Sequence, residues 1–331
     1  MSVHLIRLAR RFVAATAIGA SRRVSTTAAS GLSKVGRLVT FILVASGSWS
    51  LQPPLAIAQA PTLAWEAKGL ARPESVLHDP VTDVLFVSNI NGPVMQKDGN
   101  GFISRLKPDG TILERRWAKG LNAPTGMGLS ERTLYVADVD ALVAINAASG
   151  SIERTHKANG AIFLNDVAVG DDGTVYVSDT PMNTIWRLKD GVFEPWLTDD
   201  ALNGPNGLLF REGRLIVASF GRPKSVGQEQ EVAGLFAINV EEKSVSPLGE
   251  PFGNLDGIDE LQPGTYLVTD WAEGSLYTIA VKGKKARVRQ LLDLNQASAD
   301  LIYMPDERLV LIPMMLDNTL AAYKLDAPKS N

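Results

Sequence analysis

From about residue 61 onward, short apolar runs alternate with polar turns. Thr133-Leu134-Tyr135-Val136-Ala137-Asp138, Thr174-Val175-Tyr176-Val177-Ser178-Asp179 and Thr265-Tyr266-Leu267-Val268-Thr269-Asp270 have period-2 patterning and are rich in β-branched and aromatic residues. Such runs, bounded by Gly, Asp and Pro, predict strands. Each is followed by a further strand-like run, such as Thr184-Ile185-Trp186-Arg187-Leu188 or Ser275-Leu276-Tyr277-Thr278-Ile279. No long stretch of this region has helical periodicity, so the expected class is all-β.

The pattern repeats. Six blocks read RPESVLHD (72–79), APTGMGLS (123–130), FLNDVAVG (163–170), GPNGLLFR (204–211), NLDGIDEL (254–261) and SADLIYMP (298–305). Their third positions are Glu74, Thr125, Asn165, Asn206, Asp256 and Asp300, at intervals of 51, 40, 41, 50 and 44 residues. A period of this size predicts a six-bladed β-propeller with four-stranded blades around a central channel. The last block has three strands, ending at 319–325, and Thr62–Lys68 is expected to supply the fourth. Pairing the two ends in one blade would close the ring and remove open edges.

Strands alternate in direction within a blade. The start of strand one and the loop between strands two and three therefore share one end of the channel, its mouth. The loops there follow Ser88, Asp138, Asp179, Ser219, Asp270 and Pro313, and two of them, 88–102 and 219–234, are long. Long loops at a channel mouth are natural substrate walls. Asn89, Asn91, Phe220, Arg222, Trp271 and Met314 are candidates at this mouth.

Every residue of the column carries a side-chain oxygen, and one column of a propeller points at one axis. Glu74 and Asp256 would supply two negative charges, and Asn165 and Asn206 two neutral amide oxygens. These hard donors suit calcium, with manganese, magnesium or zinc as alternatives. Thr125 and Asp300 are expected as outer or substrate contacts. By contrast, Asp138, Asp179 and Asp270 recur unchanged after strand two, as a structural tie of the loops would require.

The first 60 residues differ in composition, with seven Lys or Arg and no Asp or Glu. A basic start (Lys34, Arg37) leads to an apolar run from Leu38 to Val44, then to Ala56-Ile57-Ala58 and Ala58-Gln59-Ala60. That layout is expected of a signal peptide over 1–60, leaving the propeller over 61–331. The apolar run is too short for a roughly 20-residue membrane span, so a periplasmic or secreted chain without a stable span is expected. Without this segment the net charge is −3 − 7 = −10. Such acidity disfavours nucleic acid and anionic membranes as partners. A small-molecule substrate is expected, and no obligate protein partner is evident. There is no cysteine, hence no disulfide, thiolate metal site or cysteine nucleophile. Neither a Gly-x-Ser-x-Gly elbow nor a phosphate loop is present.

The segments ArgProGluSerVal (72–76), LeuAsnAspValAla (164–168), ProAsnGlyLeu (205–208) and LeuAspGlyIleAsp (255–259) resemble the metal-site segments of the SMP-30 (senescence marker protein)/gluconolactonase family, related to the diisopropyl fluorophosphatase type. The resemblance implies a catalytic divalent ion, usually calcium, on Glu74, Asn165, Asn206 and Asp256. It also implies hydrolysis of a lactone or related ester, with Asp256 as base or nucleophile; Asp300 is the other carboxylate available as a base. Asp259 matches one ligand of a second ion in fluorophosphatase-like enzymes, but Ile302 stands where their His aligns. His78 and His156 are expected to be structural. The competing readings are a non-catalytic ligand-binding or scaffold propeller pinned by calcium, and a lyase or synthase of the strictosidine-synthase type.

Overall fold

The computed structural model describes residues 60–222 and 231–325. All but the last residue of the expected signal peptide lie outside the described residues. The alternating runs form strands as their pattern predicts: Thr133–Asp138, Val175–Asp179 and Thr265–Asp270, with Thr184–Lys189 and Ser275–Lys282 following the latter two. Among the described residues, twenty-four strands make six four-stranded antiparallel sheets, which are the blades of a ring. Among the described residues the only helical element is a single 3₁₀ turn, Asp200–Leu202. None of their helices is long and apolar enough to cross a membrane.

Blade one runs Pro73–Asp79, Val84–Asn89, Gly101–Leu106 and Ile112–Leu121. The first strands of blades two to six are Pro124–Ser130, Leu164–Val169, Pro205–Arg211, Leu255–Gln262 and Ile302–Met304. Consecutive first strands touch, and the last touches the first, so they line the axis. Blade six is completed by the N-terminal strand Thr62–Lys68, paired from Thr62 opposite Lys324 to Lys68 opposite Thr319. Its own first strand is short, and Asp300 lies two residues before it.

The core lies between blades, because both faces of each sheet are covered by a neighbour. In Val84–Asn89 every residue is buried. Successive side chains point to opposite faces. Val84 and Phe86 therefore pack with Leu134 and Val136 of blade two, while Leu85 and Val87 pack with Leu309 and Leu311 of blade six. Equivalent clusters fill the four other junctions. Each fully buried Leu, Ile or Phe contributes about 1.5–3 kcal/mol.

One local irregularity recurs at the axis. Pro73 faces Asn89, but Val76 faces Val87, so the register slips by one residue across Glu74-Ser75. The same slip follows Pro124, Leu164, Pro205 and Leu255. These bulges fall on the column residue and the one after it in five blades. A bulge re-aims a side chain and leaves a backbone N–H without its ladder partner. In three blades a hydroxyl of the second strand accepts from that N–H: Ser75 N to Ser88 Oγ, Asp166 N to Ser178 Oγ and Gly257 N to Thr269 Oγ1, each 2.9 Å.

Candidate functional site

In blades one to five the column residue is the second residue of the first strand, held at the bulge. Glu74, Thr125, Asn165, Asn206 and Asp256 are all buried, and Asp300 is partly so. Close approach of adjacent first strands demands glycine after three of them. At Gly207 a Cβ would lie 2.1 Å from the Asp256 carbonyl oxygen, and at Gly126 it would lie 2.2 Å from Asp166 Oδ1.

Four carboxyl groups share this interior. Burial first, then Asp256, Asp300 and Asp166, pushes the Glu74 carboxyl well above the usual range. Burial, then Asp166 and Asp270, raises Asp256 to about 8, with a hydrogen bond from Asn206 acting the other way. Asp300 is pushed well up by burial and by Asp166, Asp256 and Asp259, and is lowered by Ser75. Burial raises Asp166 to about 6, while two backbone N–H groups oppose the shift. None of the groups acting on these four is basic.

Two buried acceptor oxygens in this interior have no hydrogen-bond partner, Glu74 Oε2 and Asn206 Oδ1. Leaving such an atom unsatisfied costs on the order of 1–3 kcal/mol, more if charged. The amide nitrogens are turned to protein acceptors: Asn206 Nδ2 donates to Leu255 O (3.2 Å) and Asn165 Nδ2 to Thr180 Oγ1 (3.2 Å). Orphaned hard oxygens beside mutually repelling carboxylates fit a divalent cation held by Glu74, Asn165, Asn206 and Asp256. Among the described residues no three of His, Cys, Asp and Glu are grouped as a metal site. The expected set has two carboxylates and completes its donors with two amides.

Other expected residues have different places. Thr125 has no exposed surface, and its hydroxyl donates to Leu164 O (3.1 Å), joining blade two to blade three. Its hydroxyl clasps the two blades together. Asn89 is also fully buried. It accepts from Ala71 N (2.9 Å) and donates to Val87 O (2.9 Å) and Ser104 Oγ (3.0 Å), within the wall of blade one. Asn89 occupies the blade-one position of the repeated Asp. Asp138 accepts from Asn122 N and Ala123 N, Asp179 from Ile162 N and Phe163 N, and Asp270 from Asn254 N. Arg222 is exposed at the mouth with its guanidinium on Asp200. Trp271 is half-buried at the mouth, its ring centroid 6.0 Å from that of Phe220. Residues 223–230 of the second long loop lie outside the described residues.

Asp166 is the residue that the repeat pattern passes over. It follows Asn165 and accepts from Val167 N and Leu208 N, both 2.6 Å, tying blade three to blade four. Its signal was its place one residue after the column, where four other blades carry Gly or Ser and the sixth carries Leu301. Asp259 works similarly, accepting from Glu260 N and Tyr303 N (both 2.7 Å) between blades five and six. His78 sits at the far end of its strand beside Asp83, and His156 lies on an outer strand near Phe193. Two surface cavities of about 410 and 470 Å³ also lie at the far end, between blades two and three, away from the carboxyl cluster.

No protein-family model and no curated protein sequence matches the chain. Among solved structures, a streptogramin B lyase is similar with TM-score 0.55 and 13% identity, over 79% of this chain and 97% of that one. The extracellular domain of the hybrid two component system BT4673 from B. thetaiotaomicron is similar with TM-score 0.51 and 16% identity, over 77% of this chain. This chain spans about a third of that one, 34%. At such identities the likeness establishes the propeller fold alone.

Proposed function

We propose that the protein is a divalent-cation-dependent hydrolase, of the SMP-30/gluconolactonase type, acting on a lactone or related ester. The reading rests on one observation: Glu74 Oε2 and Asn206 Oδ1 are buried without partners in a carboxyl cluster that no basic group offsets. Glu74, Asn165, Asn206 and Asp256 would hold the cation, calcium first. When bound, it would polarise the substrate carbonyl, stabilise the developing oxyanion and let the clustered carboxyls ionise.

The remaining chemistry belongs to the chain. Asp300 is the best-placed base, because it keeps some accessible surface and its Oδ2 accepts from Ser75 Oγ at 2.6 Å. It takes a proton from water as the water oxygen bonds to the ester carbon. The ring C–O bond then breaks, and the proton passes to the departing alkoxide. Asp256 would hold the cation together with Glu74, Asn165 and Asn206.

Hydrolysis of a lactone panel by the 61–331 chain, with EDTA and then metal added back, tests this reading. Activity should disappear with EDTA and return with calcium. Asp256→Asn should lose about 100-fold or more, whereas His78→Ala should retain full rate. In ¹⁸O-water one label should enter the acid product. Turnover without label would indicate elimination, as a lyase performs, and EDTA-insensitive turnover would sink the proposal. The deep burial of the column favours one second reading, a cation that only pins the blades. Calcium-dependent melting with no turnover on any ester would select it.

A further inference from the structure

Above the carboxyl cluster the mouth changes chemistry. In each blade the residue just past strand two lies beside the start of strand one. In five of the six blades a backbone hydrogen bond fixes it there, as from Ile90 N to Arg72 O, Thr180 N to Phe163 O, Phe220 N to Gly204 O and Trp271 N to Asn254 O, or from Leu164 N to Val139 O. The sixth is Met315, whose N–H donates to Ala297 O. These positions therefore form a second column, one step toward the mouth. Its members are Ile90, Val139, Thr180, Phe220, Trp271 and Met315, so five of six are large and apolar.

Ile90, Val139 and Met315 already pack into one cluster with Ala123 and Ala297, against which Trp271 leans. Val139 is held at φ 60°, which is a strained conformation for a β-branched residue. Its carbonyl is fixed by Leu164 N at 2.7 Å, next to the column residue Asn165. Strain at a site over-determined by its surroundings is a mark of function. Here it places an isopropyl group in the collar. Arg72, a cation at this level, donates to Gly92 O (2.9 Å) and rests on Met315 Sδ (3.7 Å), within the wall.

The rim beyond continues the theme. Val94, Met95, Ile162, Met182, Val232 and Leu316 are between 41% and 57% exposed, and all lie on mouth loops. Of the other strongly exposed large apolar residues among the described ones, five lie on outermost strands and one, Val81, on a far-end turn. Of the two ends among the described residues, the one that leads to the carboxyl cluster thus carries six of these residues and the far end one.

We propose that the site takes lactones or esters bearing a long apolar chain, in preference to polyhydroxylated sugar lactones. Phe220, Trp271 and the exposed rim, backed by the buried cluster of Ile90, Val139 and Met315, would receive the chain while the carbonyl reaches the cluster below. A polyhydroxylated ring would leave hydroxyls unpaired against Phe220, Trp271 and the rim, whereas an alkyl chain removes apolar area from water on both sides. This inference rests on the hydrolase reading, and two measurements separate their fates.

The first is kcat/KM across γ-lactones with alkyl substituents from one to eight carbons, with gluconolactone alongside. It should rise about three- to four-fold per methylene until the collar is filled. Trp271→Ser and Phe220→Ser should each flatten that slope. The second is calorimetric binding of the matching non-hydrolysable alkyl lactams, which needs no turnover. Turnover with a flat slope, or with gluconolactone preferred, would overturn the inference and leave the hydrolase intact. Lactam binding that tightens with chain length, with no lactone cleaved, would uphold the apolar site and remove the hydrolase. Lactam affinity independent of chain length would overturn the inference in either case.

Discussion

Asp300 depends on a hydroxyl from the neighbouring blade. Ser75 is fully buried, and its Oγ donates to Asp300 Oδ2 at 2.6 Å, which favours the ionised carboxylate. Ser75 is therefore a positioning residue for the base. In Ser75→Ala the Asp300 carboxyl should rise further, because a donor to its charged form is gone. A base must be ionised to act, so the acid limb of kcat/KM against pH should move to higher pH, and Ser75→Thr should restore it. An unmoved limb with an altered melting temperature would make Ser75 merely structural. Other column positions differ just as sharply. Thr125 and Asn206 occupy equivalent places, but the hydroxyl of Thr125 is spent on Leu164 O, whereas Asn206 Oδ1 has no partner.

At the scale of the strand, the bulge aims the column inward. It interrupts pairing between Pro73 and Val76 and recurs in blades two to five. Beside it, Gly207 lets one first strand approach the next until a Cβ would lie 2.1 Å from Asp256 O. That contact is backbone and cannot swing aside. Gly207→Ala should therefore destabilise the fold by about 1–3 kcal/mol and displace Asp256. Urea unfolding and lactone turnover should both report the change. Full stability with full turnover would show that the first strands are more compliant than their packing implies.

At the scale of the whole molecule, the ring concentrates charge that would otherwise be dispersed. Asp256 rises from 3.8 to about 8 and Asp166 from 3.8 to about 6, so the folded chain holds protons over ranges where the unfolded chain has released them. The fold then binds more protons than the unfolded chain, and stability falls as pH rises. Cation-free protein should lose melting temperature steadily from about pH 4 to about pH 8. Saturating calcium should oppose that loss, adding about 2.7 kcal/mol at a hundredfold excess over Kd. A pH-independent melting curve in EDTA would argue that the four carboxyls are not held together.

The sequence by itself determined the strands, the number of blades, the closing strand and the column. Each follows from local alternation or from a repeat, and local patterns can be read from one chain. It also determined the structural role of Asp138, Asp179 and Asp270, because sameness across blades reflects a shared backbone task. Tertiary structure alone decided which oxygens remain available. That choice depends on contacts between blades some 40–50 residues apart, where Thr125 finds a carbonyl, Asp166 finds Leu208 N and Glu74 Oε2 finds nothing. Asn89 likewise reads as a polar loop residue until the fold buries it in the place of the repeated aspartate. The repeat fixes where a side chain stands along its blade, and the neighbouring blade fixes whether its oxygen is already taken.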